Sequence, residues 1–153
     1  MCGISGYVSS ERVTSDPTIQ LMTRPLAHRG PDGEGVWAES HVALGNRRLA
    51  VLDLSPRGHQ PMMSHDRRFV MTYNGEVYNY LELKSDLERS FETGTDTEVV
   101  LEAFARWGPE SFNRLNGMFA CAIWDRLTER LLLVRDRFGV KPLYYAELDG
   151  TLY

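Results

Sequence analysis

The chain has 153 residues, 42% hydrophobic and 25% charged, a composition near the globular average that argues against disorder and against a fibrous class. Its 17 basic and 21 acidic residues leave a formal charge of −4, which supplies no basic field for a phosphate backbone, so nucleic acid is not an expected partner. Its longest near-continuous apolar run, Met118 to Trp124, falls far short of the ~18 to 20 residues that span a bilayer, and the opening MCGISGYVSSER lacks the basic start and apolar stretch of a secretory leader; no membrane partner and a cytoplasmic location follow.

In chain order, Ile4 to Val8 predicts a first strand. Asp16-Pro17 supplies a cap and first helical position for a helix carrying Ile19, Met22 and Leu26 on one face. Residues 29–35, RGPDGEG, combine proline with three glycines and predict a loop. Three short segments rich in branched or aromatic residues, Val42 to Leu44, Leu49 to Leu54 and Phe69 to Tyr73, predict strands, with the loop SPRGHQPM between the last two. Asn79 followed by Glu82, and Thr95 followed by Glu98, are cap-like starts for two helices whose inner faces carry Tyr80, Leu83 and Leu87, then Val100, Phe104 and Trp107.

The last third returns to strands at MFACAIW, LLLV and PLYYA. The first is apolar at consecutive positions, as expected where both faces of a sheet are covered. No repeat or linker divides the chain, so one domain over residues 1–153 is expected. Gly150 to Tyr153 open a further strand without a partner or polar tail, which predicts a domain incomplete at its C terminus.

Two cysteines cannot build a disulfide framework, and neither has zinc-site spacing. His28, His59 and His65 have no second ligand at metal-site spacing, so no metal is expected here. Cys121, inside MFACAIW, reads as a buried small hydrophobe. Cys2 is different: removal of Met1 would place a thiol and a free α-amine on one residue. Their ordinary pKa values, about 8.5 and about 7.7 to 8.0, make proton transfer between them cheap near neutral pH. A cysteine at position 2 is, taken alone, more often an ordinary residue.

Eight blocks in order give that cysteine a context: MCGISGYV (1–8), AHRGPDG (27–33), RRLAVLDL (47–54), GHQPM (58–62), YNGEVYN (73–79), GTDTEVVL (94–101), NGMFACAIWD (116–125) and VRDRFGVKPLYY (134–145). Together they resemble the glutaminase domain of glutamine-hydrolysing asparagine synthetases, class II glutamine amidotransferases with an N-terminal nucleophile. The resemblance implies an α+β fold of the N-terminal-nucleophile-hydrolase type, a four-layer αββα sandwich with two antiparallel sheets between helical layers. It implies hydrolysis of the L-glutamine side-chain amide by Cys2, yielding ammonia for ATP-dependent amidation of aspartate in the parent enzyme.

By the same resemblance, Asn74 and the backbone N–H of Gly75 form an oxyanion hole. Arg48 takes the substrate carboxylate, and Asp96 meets the α-ammonium, with Glu76 and main-chain groups near Val51 and Gly75. Arg29 supports the site. The plainer readings are an Asn-Gly turn, a surface arginine, a helix cap for Asp96 and an exposed strand-end glutamate.

No glycine-rich phosphate cradle occurs in these residues. The ATP and Mg chemistry is therefore expected in a C-terminal ATP-pyrophosphatase synthetase domain absent from this chain, with no cofactor for the glutaminase part and a homodimeric parent left open. Two rival readings stand beside this one. The first is the glutaminase domain of another amidotransferase, of the hexosamine-phosphate or purine type. The second is a non-catalytic regulatory or binding module of the same fold that never exposes its cysteine.

Overall fold

Residues 1–11 and 17–153 are described by the computed structural model, and the helix cap expected at Asp16 lies outside them. β1 (Gly3–Val8), β2 (Gly33–Glu39) and β3 (Val42–Arg48) pair antiparallel. A second antiparallel sheet runs β4 (Met62–Met63), β5 (Phe69–Val77), β6 (Gly117–Asp125) and β7 (Arg130–Arg135) in that order. The short β8 (Glu147–Leu148) and β9 (Thr151–Leu152) then join the first sheet, giving the order β2-β3-β1-β9-β8. Thus the closing strand does find a partner, since Leu152 sits opposite Val8.

Among the described residues three α-helices cover the outsides. α1 (Pro17–Thr23) lays Ile19 and Met22 on Tyr7 and Ala43 of the first sheet. α2 (Tyr80–Asp86) and α3 (Asp96–Trp107) cover the second. The outer face of that sheet contributes Phe69, Met71 and Tyr73 from β5, Phe119, Cys121 and Ile123 from β6, and Leu132 and Val134 from β7. They meet Leu83 of α2 and Val100, Leu101 and Phe104 of α3 in one cluster. The intervening residues Val70, Ala122, Trp124, Leu131 and Leu133 turn the other way and pack on Val42 and Leu44 of β3. Period-two alternation with both faces covered explains why MFACAIW is apolar at every position. The layer order is helix, sheet, sheet, helix, as the resemblance implied.

α3 begins where expected, with Thr95 Oγ1 accepting from the Glu98 N–H. Other local expectations give way to specific competitors. Leu49 to Leu54 is a bent loop with Val51 and Leu54 exposed, because side chains satisfy its backbone: Asp32 takes the Ala50 N–H, Asp53 takes that of Ser55, and the Arg48 guanidinium donates to the carbonyls of Asp53 and Ser55. PLYYA is not a strand either. It opens on a proline, and Tyr144 and Tyr145 are exposed; pairing starts only at Ala146, which exchanges hydrogen bonds with Tyr153.

The expected loop at residues 29–35 is already β2 from Gly33 onward. Leu26 falls outside α1, in the 3-10 turn Arg24–Arg29, where Pro25 cannot continue α-helical bonding. Asn79 occupies the cap position of α2 but does not cap it. Its carboxamide instead donates to the Arg114 carbonyl and accepts from the Asn116 N–H, pinning the end of β5 to the approach of β6.

Candidate active site

The even-numbered residues of three strands face the space between the sheets: Val8 of β1, Val42 and Leu44 of β3, and Val70 of β5. Asn46 continues the β3 series, bonding Thr72 Oγ1 and Gln60 Oε1 across the gap. Followed to the strand ends, the same parity carries Cys2, Arg48, Asn74 and Glu76 to one end of the inter-sheet space. There a cleft of about 50 Å³, room for a few waters, is walled by Cys2, Arg48, Val51, Gly75, Glu76 and Asp96. Leu49, Leu52, Gln60 and Thr95 complete the wall, and none of these four is expected at the site from the sequence, where Thr95 reads as a helix cap alone. Gln60 belongs to the GHQPM block, the one signal that could have found it. Asn74 and Arg29 are not on the wall itself.

Cys2 is half-buried. The Leu49 N–H points at its Sγ at 3.4 Å, and Arg29 Nε donates to its carbonyl oxygen at 3.2 Å, so the residue is held from the 3-10 turn on one side and the 49–55 loop on the other. At Gly3 a Cβ would stand 2.7 Å from Leu26 Cβ, so β1 can enter the site only with glycine beside the cysteine.

The backbone of β5 supplies a donor. In an antiparallel ladder, the N–H groups of alternate residues point to opposite sides of the strand. Gly75 lies opposite Phe119, whose own N–H and C=O are both taken by Asp136, on the far side of β6. The N–H of Gly75 therefore points away from β6, as do those of Tyr73 and Val77. Tyr73 N–H is taken by Gln60 Oε1 at 2.7 Å, and Val77 N–H by Asp96 Oδ2 at 2.9 Å. Gly75 lies between them, at the cleft, beyond the end of two-residue β4. Any side chain at 75 would meet Phe119 Cβ at 2.6 Å and the Met118 carbonyl at 2.7 Å. Asn74 is buried at 4% exposure, and among the described residues its carboxamide makes no side-chain hydrogen bond.

Asp96 is also buried, at the first turn of α3. Burial pushes its carboxyl above the ordinary carboxylate range, against bonds from Val77 N–H and the Tyr73 hydroxyl. Glu76 is raised too, by burial first and by the negative charge of Asp96 second, with Lys141 pulling the other way. Two acids that disfavour each other's charge would be relieved by a cation placed beside them. Arg48, facing them, is clamped to the Asp53 and Ser55 carbonyls and pressed against Gly58, where any Cβ would strike the guanidinium.

Among the described residues three grooves of about 470 to 490 Å³ and a cavity of about 70 Å³ are larger than this cleft, and none of them is lined by a predicted site residue. Cys121 is in the helix-facing core, where burial raises its thiol to about 12. Among the described residues no cluster of three or more His, Cys, Asp or Glu could hold a metal ion, and no helix is long and apolar enough to cross a membrane.

Glutamine phosphoribosylpyrophosphate amidotransferase from B. subtilis superposes with a TM-score of 0.79 over 97% of this chain and 40% of its own, at 21% identity, so the two share a fold. The family model described as "Glutamine amidotransferase domain" matches residues 1–153, and the chain belongs to that family. Among curated relatives, asparagine synthetase [glutamine-hydrolyzing] 3 of Bacillus subtilis is 41% identical over 100% of this chain and 26% of the relative. Asparagine synthetase [glutamine-hydrolyzing] 1 of the same organism is 37% identical over 100% and 25%. The chain thus spans about a quarter of the length of these relatives.

Proposed function

We propose that the chain hydrolyses the side-chain amide of L-glutamine, with Cys2, freed of Met1, as nucleophile and its own α-amine as base. The observation that carries this reading is the Gly75 N–H, left without a strand partner between two satisfied neighbours and directed into the cleft that also holds Cys2.

The thiol proton passes to the α-amine, and sulfur adds to the amide carbon. Negative charge collects on the amide oxygen, where the Gly75 N–H and the Asn74 carboxamide supply fixed donors. Collapse expels ammonia, which takes the proton back from the α-ammonium and leaves a γ-glutamyl thioester. Water, deprotonated by the same amine, then releases glutamate and restores the thiol. Arg48 holds the substrate carboxylate; Asp96 and Glu76, with main-chain groups near Val51 and Gly75, hold its ammonium. Arg29 fixes the Cys2 carbonyl. The 49–55 loop, Val51 exposed on it, must yield for so small a cleft to take an amino acid.

The names of the relatives support aspartate as the final acceptor of the ammonia, in a synthetase domain using ATP and Mg that these residues do not contain. No step on this chain runs through either. A cytoplasmic site of action fits that chemistry.

The test is ammonia release from glutamine by protein whose intact mass shows Met1 removed, against Cys2→Ala. Turnover should fall to background in the variant while glutamine still binds. Processed protein that turns over equally well with alanine at position 2 would end the proposal. Processed wild-type protein that binds glutamine but releases no ammonia would favour the binding-module alternative.

A further inference from the structure

Lys141 is buried at 3% exposure, yet among the described residues it forms no ion pair. Its Nζ lies against the thioether of Met1. Thioether sulfur is a weak acceptor, a poor reason to bury an ammonium. The surrounding segment is built to hold it there. Asp136 accepts N–H bonds from Phe119, Phe138, Val140 and Lys141, and burial of its carboxylate is outweighed by these four donors, which keep it below the usual range. Arg135 donates to the carbonyls of Gly139 and Lys141. The 135–141 segment is thereby fastened to Phe119, the residue opposite Gly75.

From the other side, Lys141 is near enough to Glu76 on the cleft wall to favour its charged form. Lys141 therefore touches the residue that processing removes and acts on the charge of an acid of the cleft wall.

We propose that Lys141 is a positioning residue for the reaction: once Met1 is gone, its ammonium stands beside the α-amine of Cys2 and keeps that amine unprotonated, hence basic, at neutral pH. This rests on the reading of Cys2 as the nucleophile. A like charge nearby disfavours the protonated amine, whereas an amine ringed only by acids would hold its proton. The charged groups gathered around Cys2 are Arg48 from the end of β3, Glu76 from β5 and Asp96 from α3 on the cleft wall, Arg29 from the 3-10 turn on the Cys2 carbonyl, and Lys141 against Met1. Arg48 and Arg29 are committed to carbonyls, Asp96 to Val77 and Tyr73, and Glu76 is the one acid Lys141 offsets.

The experiment is the pH profile of kcat/KM for glutamine hydrolysis by processed wild type, Lys141→Met and Lys141→Arg, with circular dichroism and a melt on each. Wild type should show an acid limb below about 7.7, the lower end of the ordinary α-amine range. Lys141→Met should move that limb up by about 0.5 to 1 pH unit, losing about 3- to 10-fold in turnover at pH 7 and recovering it at pH 9. Lys141→Arg, which keeps the charge, should leave the limb in place. A Lys141→Met profile lowered equally at every pH, or a limb shifted as far by Arg as by Met, overturns the role. Where Lys141→Met does not fold, a wild-type limb at or above 8 does so. Cys2→Ala separates the layers: turnover surviving it fails the nucleophile and this proposal together. Its loss, with an unmoved limb in Lys141→Met, fails the lysine alone.

Discussion

β5 has two faces, and they are made of different chemistry. Phe69, Met71, Tyr73 and Val77 turn toward α3 and lie in a closed apolar cluster, each buried. Val70, Thr72, Asn74 and Glu76 turn toward the first sheet, and along that face the side chains pass from apolar through hydroxyl and carboxamide to carboxylate as the strand nears Cys2. The helix-facing side gives up no polar group except the Tyr73 hydroxyl, which reaches Asp96. The other side carries an unmet need: the Asn74 carboxamide, buried, makes no side-chain hydrogen bond among the described residues, and across the gap Asn46 Oδ1 of β3 is buried without a partner. In the half of the strand nearest Cys2 the two faces thus differ: Tyr73 and Val77 pack in the helix-facing core, while Asn74 and Glu76 turn toward the cleft end, and a substitution on either face there should report on one property and spare the other.

The sharpest break in that division is Asn74→Ala. It should cost about 10²- to 10³-fold in kcat through the lost oxyanion donor, while the melting temperature stays close to wild type because the carboxamide holds nothing in the free protein. Unchanged turnover would remove Asn74 from the site. Three residues back on the opposite face, Met71→Ala should do the converse. Met71 is fully buried, and its truncation should lower unfolding free energy by about 2 to 5 kcal/mol, measured by denaturant melts, with KM for glutamine unaltered in the folded fraction. If Met71→Ala instead raised KM as much as it lowered stability, the two faces would not be independent.

Parity is also the reason the sequence could be read as far as it was. MFACAIW and Phe69 to Tyr73 declare buried strands because neighbouring residues have different walls to fill. Thr95 declares α3 because its hydroxyl takes the Glu98 N–H. What eluded reading was governed by partners remote in the chain. Leu49 to Leu54 has the composition of a strand, but Asp32 and Arg48 take its hydrogen bonds. Tyr144 and Tyr145 carry strand propensity without a strand beside them. Cys2, Asn74, Gly75 and Asp96 could be picked out because eight blocks resemble a known family; the unpaired N–H of Gly75 could not, since it depends on Asp136 occupying both polar groups of Phe119 across the sheet. Lys141 was visible within a block and meaningless until Met1 stood beside it.

The smallest expected effect probes the acid end of the even face. Glu76 is raised above its ordinary value of 4.5 by burial and by Asp96, so the folded chain binds a proton there that the unfolded chain has released. The sign follows: free protein loses stability as pH climbs from that ordinary value through the raised folded one, and above it the full penalty of holding two charged acids together is in place. Glu76→Gln removes the penalty, so its melting temperature should exceed wild type at pH 8 and match it at pH 4. Glutamine brings an ammonium that offsets the same repulsion, so the variant should bind substrate about 2- to 5-fold more weakly at pH 8, the worth of a partly exposed charge pair. Stability gained and affinity lost at one position is what a cleft kept charged for its ligand requires. A variant stabilised equally at both pH values, with KM unmoved, would make Glu76 an ordinary strand-end glutamate and leave Asp96 alone to meet the ammonium.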